Sequence, residues 1–100
     1  MDPAIPSINV SDVVVSTAGR DAGTWFYVVS EYPVFLFLAN GKDRTLDKPK
    51  RKKRKHVQVV LRSETRVAEK LRNGDKVLNS ELRRDLIYLS QKMQSNDLGG

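Results

Sequence analysis

The chain has no cysteine and one histidine, His56. Disulfides and thiolate chemistry are therefore excluded, and a single histidine cannot anchor an all-protein zinc site. Long apolar runs are also missing. The longest, "VFLFLA" (34–39), is far too short to span a bilayer. The opening "MDPAIPSINV" lacks the basic residue and apolar stretch of a secretory signal. No nucleophile sits beside a base, no metal-ligand cluster occurs, and Gly19 and Gly23 lack the Gly-Lys-Ser/Thr of a phosphate-binding loop. A soluble, cytoplasmic protein that is not an enzyme and needs no cofactor is the expectation.

Charge is present in excess. The formal net charge is +6, and the positive residues are unevenly placed. Seven of the 18 Lys and Arg residues are Lys48, Lys50, Arg51, Lys52, Lys53, Arg54 and Lys55, within "KPKRKKRKHV"; the other 11 are offset by 12 acidic residues. One local tract on a nearly neutral body therefore carries the positive field, which favours a polyanionic partner.

The length of 100 residues and the 39% apolar content suit one modest core. Residues 1–9, with Pro3 and Pro6, read as an irregular lead-in. Residues 10–62 read as β structure. "DVVVST" (12–17) and "TWFYVVS" (24–30) are rich in β-branched and aromatic residues. "VFLFLA" is apolar on both faces, which suggests a central strand. Asn40-Gly41 marks a hairpin turn, with "KDRTLD" (42–47) as the returning edge strand. "HVQVVLR" (56–62) alternates as a fifth. Five short strands without intervening helix predict a small barrel or a strongly bent sheet, with 48–55 as a basic loop tied at both ends. Residues 63–94 read as two helices. Ser63 caps the first, which carries Val67 and Leu71 and stops at Gly74. Ser80 caps the second, in which Leu82, Leu86, Leu89 and Met93 recur at helical spacing. Residues 95–100 read as a flexible tail.

In "VVVSTAGRDAGTWFYVV" (13–29), two strands flank a loop with Gly19, Arg20, Asp21 and Gly23, where two glycines allow a sharp reversal with positive φ. This segment resembles a KOW motif, the strand-loop-strand signature of SH3-like barrels in ribosomal proteins and elongation factors. "AGRDAG", "NGKDR" (40–44) and "KPKRKKRKHV" follow in the order seen in the short bacterial KOW-domain RNA-binding proteins. Those are similar to a KOW-type large-subunit ribosomal protein of archaea and eukaryotes. The helical ending "LRNGDKVLNSELRRDL" is similar too, so the likeness covers about residues 11–90. Ala22 departs from the lysine common in the group, and Asn40 from its aspartate. The resemblance implies a five-stranded SH3-like barrel followed by two short helices, and RNA as the partner, most often ribosomal RNA with its proteins.

The candidate RNA-binding residues are Arg20, Arg44, the seven cations of the tract, and His56. Several features carry two readings. The tract is a phosphate-binding loop aimed by its barrel, or a solvated charge run. His56 stacks on a base or contacts phosphate, or faces solvent. Trp25 and Tyr27 share a face, as a stacking platform or as core beneath the helices. Arg20 pairs with Asp21 or reaches a phosphate, while Asp21 is expected to accept hydrogen bonds from turn amides. Arg62, Arg66 and Lys70 extend the basic surface, or line a solvated helix face. Neutralising Arg51, Lys52, Lys53 and Arg54 together is expected to weaken RNA binding and leave the fold intact.

Three functions compete. The chain docks as a monomer on structured ribosomal RNA; or it is a transcription-associated module that binds a protein machine and nascent RNA; or it is a protein-interaction module with a polyanion patch. The fold alone cannot choose among them.

Overall fold

The computed structural model describes residues 7–99, so most of the proline-bearing lead-in and Gly100 lie outside the described residues. Five strands, β1 (Asp12–Ser16), β2 (Trp25–Glu31), β3 (Phe35–Ala39), β4 (Lys50–Lys53) and β5 (Val57–Arg62), are followed by α1 (Arg66–Asn73) and α2 (Asn79–Gly99). They form one antiparallel sheet in the order β4-β3-β2-β1-β5.

β4 and β5 are joined by a single 3-10 turn, Arg54–His56, yet lie at opposite edges of the sheet. Four steps of extended chain reach at most about 14 Å. Four interstrand spacings of about 4.8 Å would put the edges of a flat sheet about 19 Å apart. The sheet must therefore curl strongly. Two register shifts assist it, between Val28 and Ser30 opposite β3 and between Val13 and Val14 opposite β5.

Alternation along the strands builds two cores. Val14, Phe26, Val28, Leu36 and Leu38 pack together inside the curl, joined by Ile8. Val13, Tyr27 and Ala39 face the other way and pack with Val67, Ala68, Leu82, Leu86 and Leu89 of the helices. Burial on both faces explains the near-continuous apolar reading of β1 to β3. β3 is flanked on both sides, although the middle strand is β2. Ile8, 5% exposed, is part of the core, so the end of the lead-in is packed.

The helices differ in detail from the expectation. Thr65, not Ser63, caps α1, its hydroxyl accepting from the Ala68 amide at 3.2 Å. Gly74 closes α1 with φ +76°, as read from the sequence. At the start of α2, Ser80 is not the cap; the Glu81 carboxylate reaches back to the Leu78 amide at 3.0 Å. Leu82, Leu86 and Leu89 are buried, whereas Met93 is 38% exposed. The tail expected at 95–100 is helical as far as Gly99.

The second half of the sheet required the largest correction. Residues 42–47 form no strand, and the tract expected as a loop supplies β4 instead. Its Lys50, Arg51, Lys52 and Lys53 pair with Leu38, Phe37, Leu36 and Phe35. Asn40-Gly41 is not a hairpin turn either. The Asn40 carboxamide oxygen accepts from the Lys42 and Arg44 amides, and Gly41, at φ +77°, lies against α2. A Cβ on Gly41 would stand 2.1 Å from the Asn79 carbonyl oxygen. Asn79 in turn accepts from the Leu46 amide at 2.8 Å, so this loop is the seat of the helix.

Candidate nucleic-acid interface

Because the tract is a strand, its side chains alternate between two faces. Lys50 and Lys52 share the inner face with Leu36 and Leu38. Lys52 is only 8% exposed, and an unpaired ammonium there would be costly. Its Nζ donates to Asp21 Oδ1 at 2.8 Å and to the Ala18 carbonyl at 2.6 Å. Lys50 Nζ stands 3.0 Å from Asp21 Oδ2, a charge contact without the direction of a hydrogen bond.

Asp21 reaches both lysines because its loop turns back at Gly19 (φ +84°) and Gly23 (φ +91°). The Ser16 hydroxyl adds a hydrogen bond to Asp21 at 2.7 Å. Burial alone would raise the carboxyl pKa, but the hydrogen bonds from Lys52 and Ser16, with the nearby Lys50 ammonium, outweigh it and hold the group well below the usual carboxylate range. Asp21 is thus structural as expected, but through side chains. The turn amide of Thr24 bonds its carbonyl rather than its carboxylate. Arg20 is exposed and does not brace the loop.

Arg54 is also engaged. Its guanidinium donates from Nε to the Tyr32 carbonyl at 2.8 Å and from Nη1 to the Ile8 carbonyl at 3.2 Å, with Glu31 4.0 Å away. It ties the β2–β3 turn to the backbone at Ile8. Three of the seven cations therefore hold the fold. Lys48, Arg51, Lys53 and Lys55 are exposed. Neutralising Lys52 or Arg54 along with Arg51 and Lys53 would thus perturb stability as well as any binding, contrary to the expectation above.

The outer face of β3 and β4 carries a group that the sequence reading missed. Tyr32, Phe35 and Phe37 form a three-ring cluster with centroids 5.4 to 5.8 Å apart. The Arg51 guanidinium lies over Phe35, 5.0 Å from its centroid. Beside them a groove of about 460 Å³ is lined by Val34, Phe35, Arg51, Lys53 and His56, among others. The signal was available in "YPVFLF": Phe35 and Phe37, two apart, share a face, and their partners across the strand pair are cations.

The remaining candidates are dispersed. Arg44 is exposed in the loop that seats α2. His56 ends the 3-10 turn, where its carbonyl accepts from the Thr17 amide. Tyr27 is fully buried beneath the helices, so it is core rather than a platform. Its hydroxyl donates to Asp85 and lies 2.8 Å from Ser63 Oγ, joining the sheet to α2 and to the segment that leads into α1. Trp25 is partly buried on the same side. Lys70 pairs with Glu81 at 2.8 Å, and Arg62 with Asp12 at 2.6 Å. Both serve packing, while Arg66 is exposed. Among the described residues no acidic and histidine cluster could hold a metal ion, and no helix is long and apolar enough to cross a membrane.

The chain matches no protein-family model and no curated protein.

Proposed function

We propose that this protein is an RNA-binding module of the KOW type, with an SH3-like barrel, that docks on structured ribosomal RNA and is not an enzyme. The observation that carries the reading is the basic tract: an ordered edge strand with Arg51 and Lys53 exposed, flanked by exposed Lys48 and Lys55, on a body that is otherwise nearly neutral. The strong curl of the sheet and the single 3-10 turn between its edge strands support the barrel.

Order is what gives the tract its value. A disordered run loses conformational freedom when its side chains settle on a phosphate backbone. Here the backbone is already hydrogen-bonded to β3, so that loss is smaller. Cations on an edge strand also discourage strand-to-strand aggregation, which accounts for some lysine at such a position. That role does not require further exposed cations on either side of the strand, nor an arginine layered on a phenylalanine.

Recognition in this account is mainly of shape, since the major groove of A-form RNA is too narrow for side chains to read. Crosslinking in cells, with sequencing of the bound fragments, tests the proposal. Enrichment of ribosomal RNA supports it. Nascent transcripts together with RNA polymerase would favour a transcription-associated module. A nuclease-insensitive protein complex would favour an interaction module.

A further inference from the structure

We propose that the Tyr32–Phe35–Phe37 cluster and Arg51 form a stacking site for an unpaired RNA base, with Lys53 and Lys55 on the flanking phosphates. This inference rests on the RNA-binding reading and specifies its ligand. The three rings sit at the corner of the sheet, where Tyr32 is 47% exposed and the neighbouring Val34 64% exposed. The helices cover Ala39 on the same face of β3, whereas among the described residues Phe35 and Phe37 do not belong to the core that the helices form with the sheet. Apolar surface left open in this way marks a site of contact.

The composition of the surroundings selects the occupant. The guanidinium of Arg51 rests on Phe35 and is itself exposed, so a second planar group has a face on which to lie. Bases stack on aromatic rings and on arginine planes in this way. Lys53 is the partner of Phe35 across the strand pair, which sets a cation beside the rings. A wholly apolar helix would leave these cations unpaired, and an acidic peptide would leave the rings uncovered. A paired RNA helix hides its base faces. An unpaired nucleotide supplies both a π face and a phosphate.

The test uses the full chain and two RNAs, a fully paired hairpin and the same hairpin with one bulged 2-aminopurine. Wild type is expected to bind the bulged form about tenfold or more tightly, with a change in 2-aminopurine emission on stacking. Tyr32→Ala, and independently Arg51→Lys, should abolish the preference and the emission change. Arg51→Lys keeps the charge, so the steep salt dependence of binding should persist in that variant on both hairpins while the preference is lost. If Tyr32→Ala alters the melting temperature, Arg51→Lys decides alone. Equal affinity of wild type for the two hairpins, or an undiminished preference in Arg51→Lys, would overturn the stacking site while steep salt dependence kept the RNA-binding reading. Failure to bind either hairpin would remove both.

Discussion

Lys52 Nζ donates to Asp21 Oδ1 at 2.8 Å, so a cation from the centre of the basic tract is neutralised by the loop between β1 and β2. The pair joins residues 31 apart in sequence and fixes which face of β4 turns outward. The tract is thereby divided into cations that hold the fold and cations that remain available.

Removing one side of this pair should destabilise the protein more than removing an outward charge. Asp21→Ala leaves two lysines without their anion at a partly buried site. It is expected to cost about 2–3 kcal/mol, below the range for a fully buried pair because some solvent reaches it. Lys53→Gln should stay within about 0.5 kcal/mol of wild type. Urea denaturation of the two variants checks the ranking, and equal losses would contradict it.

The same carboxylate makes stability depend on acid. Its folded pKa lies far below that of the unfolded chain, which is about 3.9. Its contribution is therefore complete at neutral pH, begins to fall as the pH approaches 4, and disappears only in much stronger acid. Across that interval the unfolded state binds more protons, so stability rises with pH. Melting temperatures followed downward from pH 6 should drop less steeply in Asp21→Asn than in wild type.

Gly41 and Gly23 separate two costs of a side chain. Both have positive φ, but a Cβ on Gly23 meets nothing within 4 Å, whereas on Gly41 it collides with the α2 backbone. Gly23→Ala should lose about 1 kcal/mol from backbone strain. Gly41→Ala should lose about 3 kcal/mol or more, since overpacking adds to the strain. Hydrogen exchange should then show α2 loosened in Gly41→Ala alone.

Tyr27 provides a test of the contact between sheet and helices. Burial, and then the hydrogen bond to Asp85, push its phenol well above the ordinary tyrosine range. Among the three tyrosines it should resist ionisation longest in an alkaline spectrophotometric titration. Tyr27→Phe leaves Asp85 without this donor and is expected to cost about 1–3 kcal/mol.

Much of this was legible from local pattern. The β-branched and aromatic runs located β1, β2, β3 and β5 within about two residues, and Gly74 ended α1 where expected. β4 was not legible. Four consecutive cations have poor β-propensity and repel one another, and nothing local favours a strand there. Pairing with β3 and the anion at Asp21 supply what the sequence of β4 lacks, and both are distant in the chain. Asn40-Gly41 misled for a related reason. The positive φ it promised is present, but it serves the approach of Asn79 rather than a hairpin. Among the site residues, charge alone could not distinguish Lys52 from Lys53; the register of β4 does.

The salt dependence of RNA binding tests the central claim most directly. With Lys48, Lys53 and Lys55 on phosphates, and Arg20 as a fourth contact, log K should fall with log salt at a slope of about −2 to −3 on single-stranded segments. Lys53→Gln combined with Lys55→Gln should make the slope shallower by about 1.4 without changing the melting temperature. A slope near zero in wild type, or one untouched by the double substitution, would contradict RNA binding through the exposed cations of the basic tract.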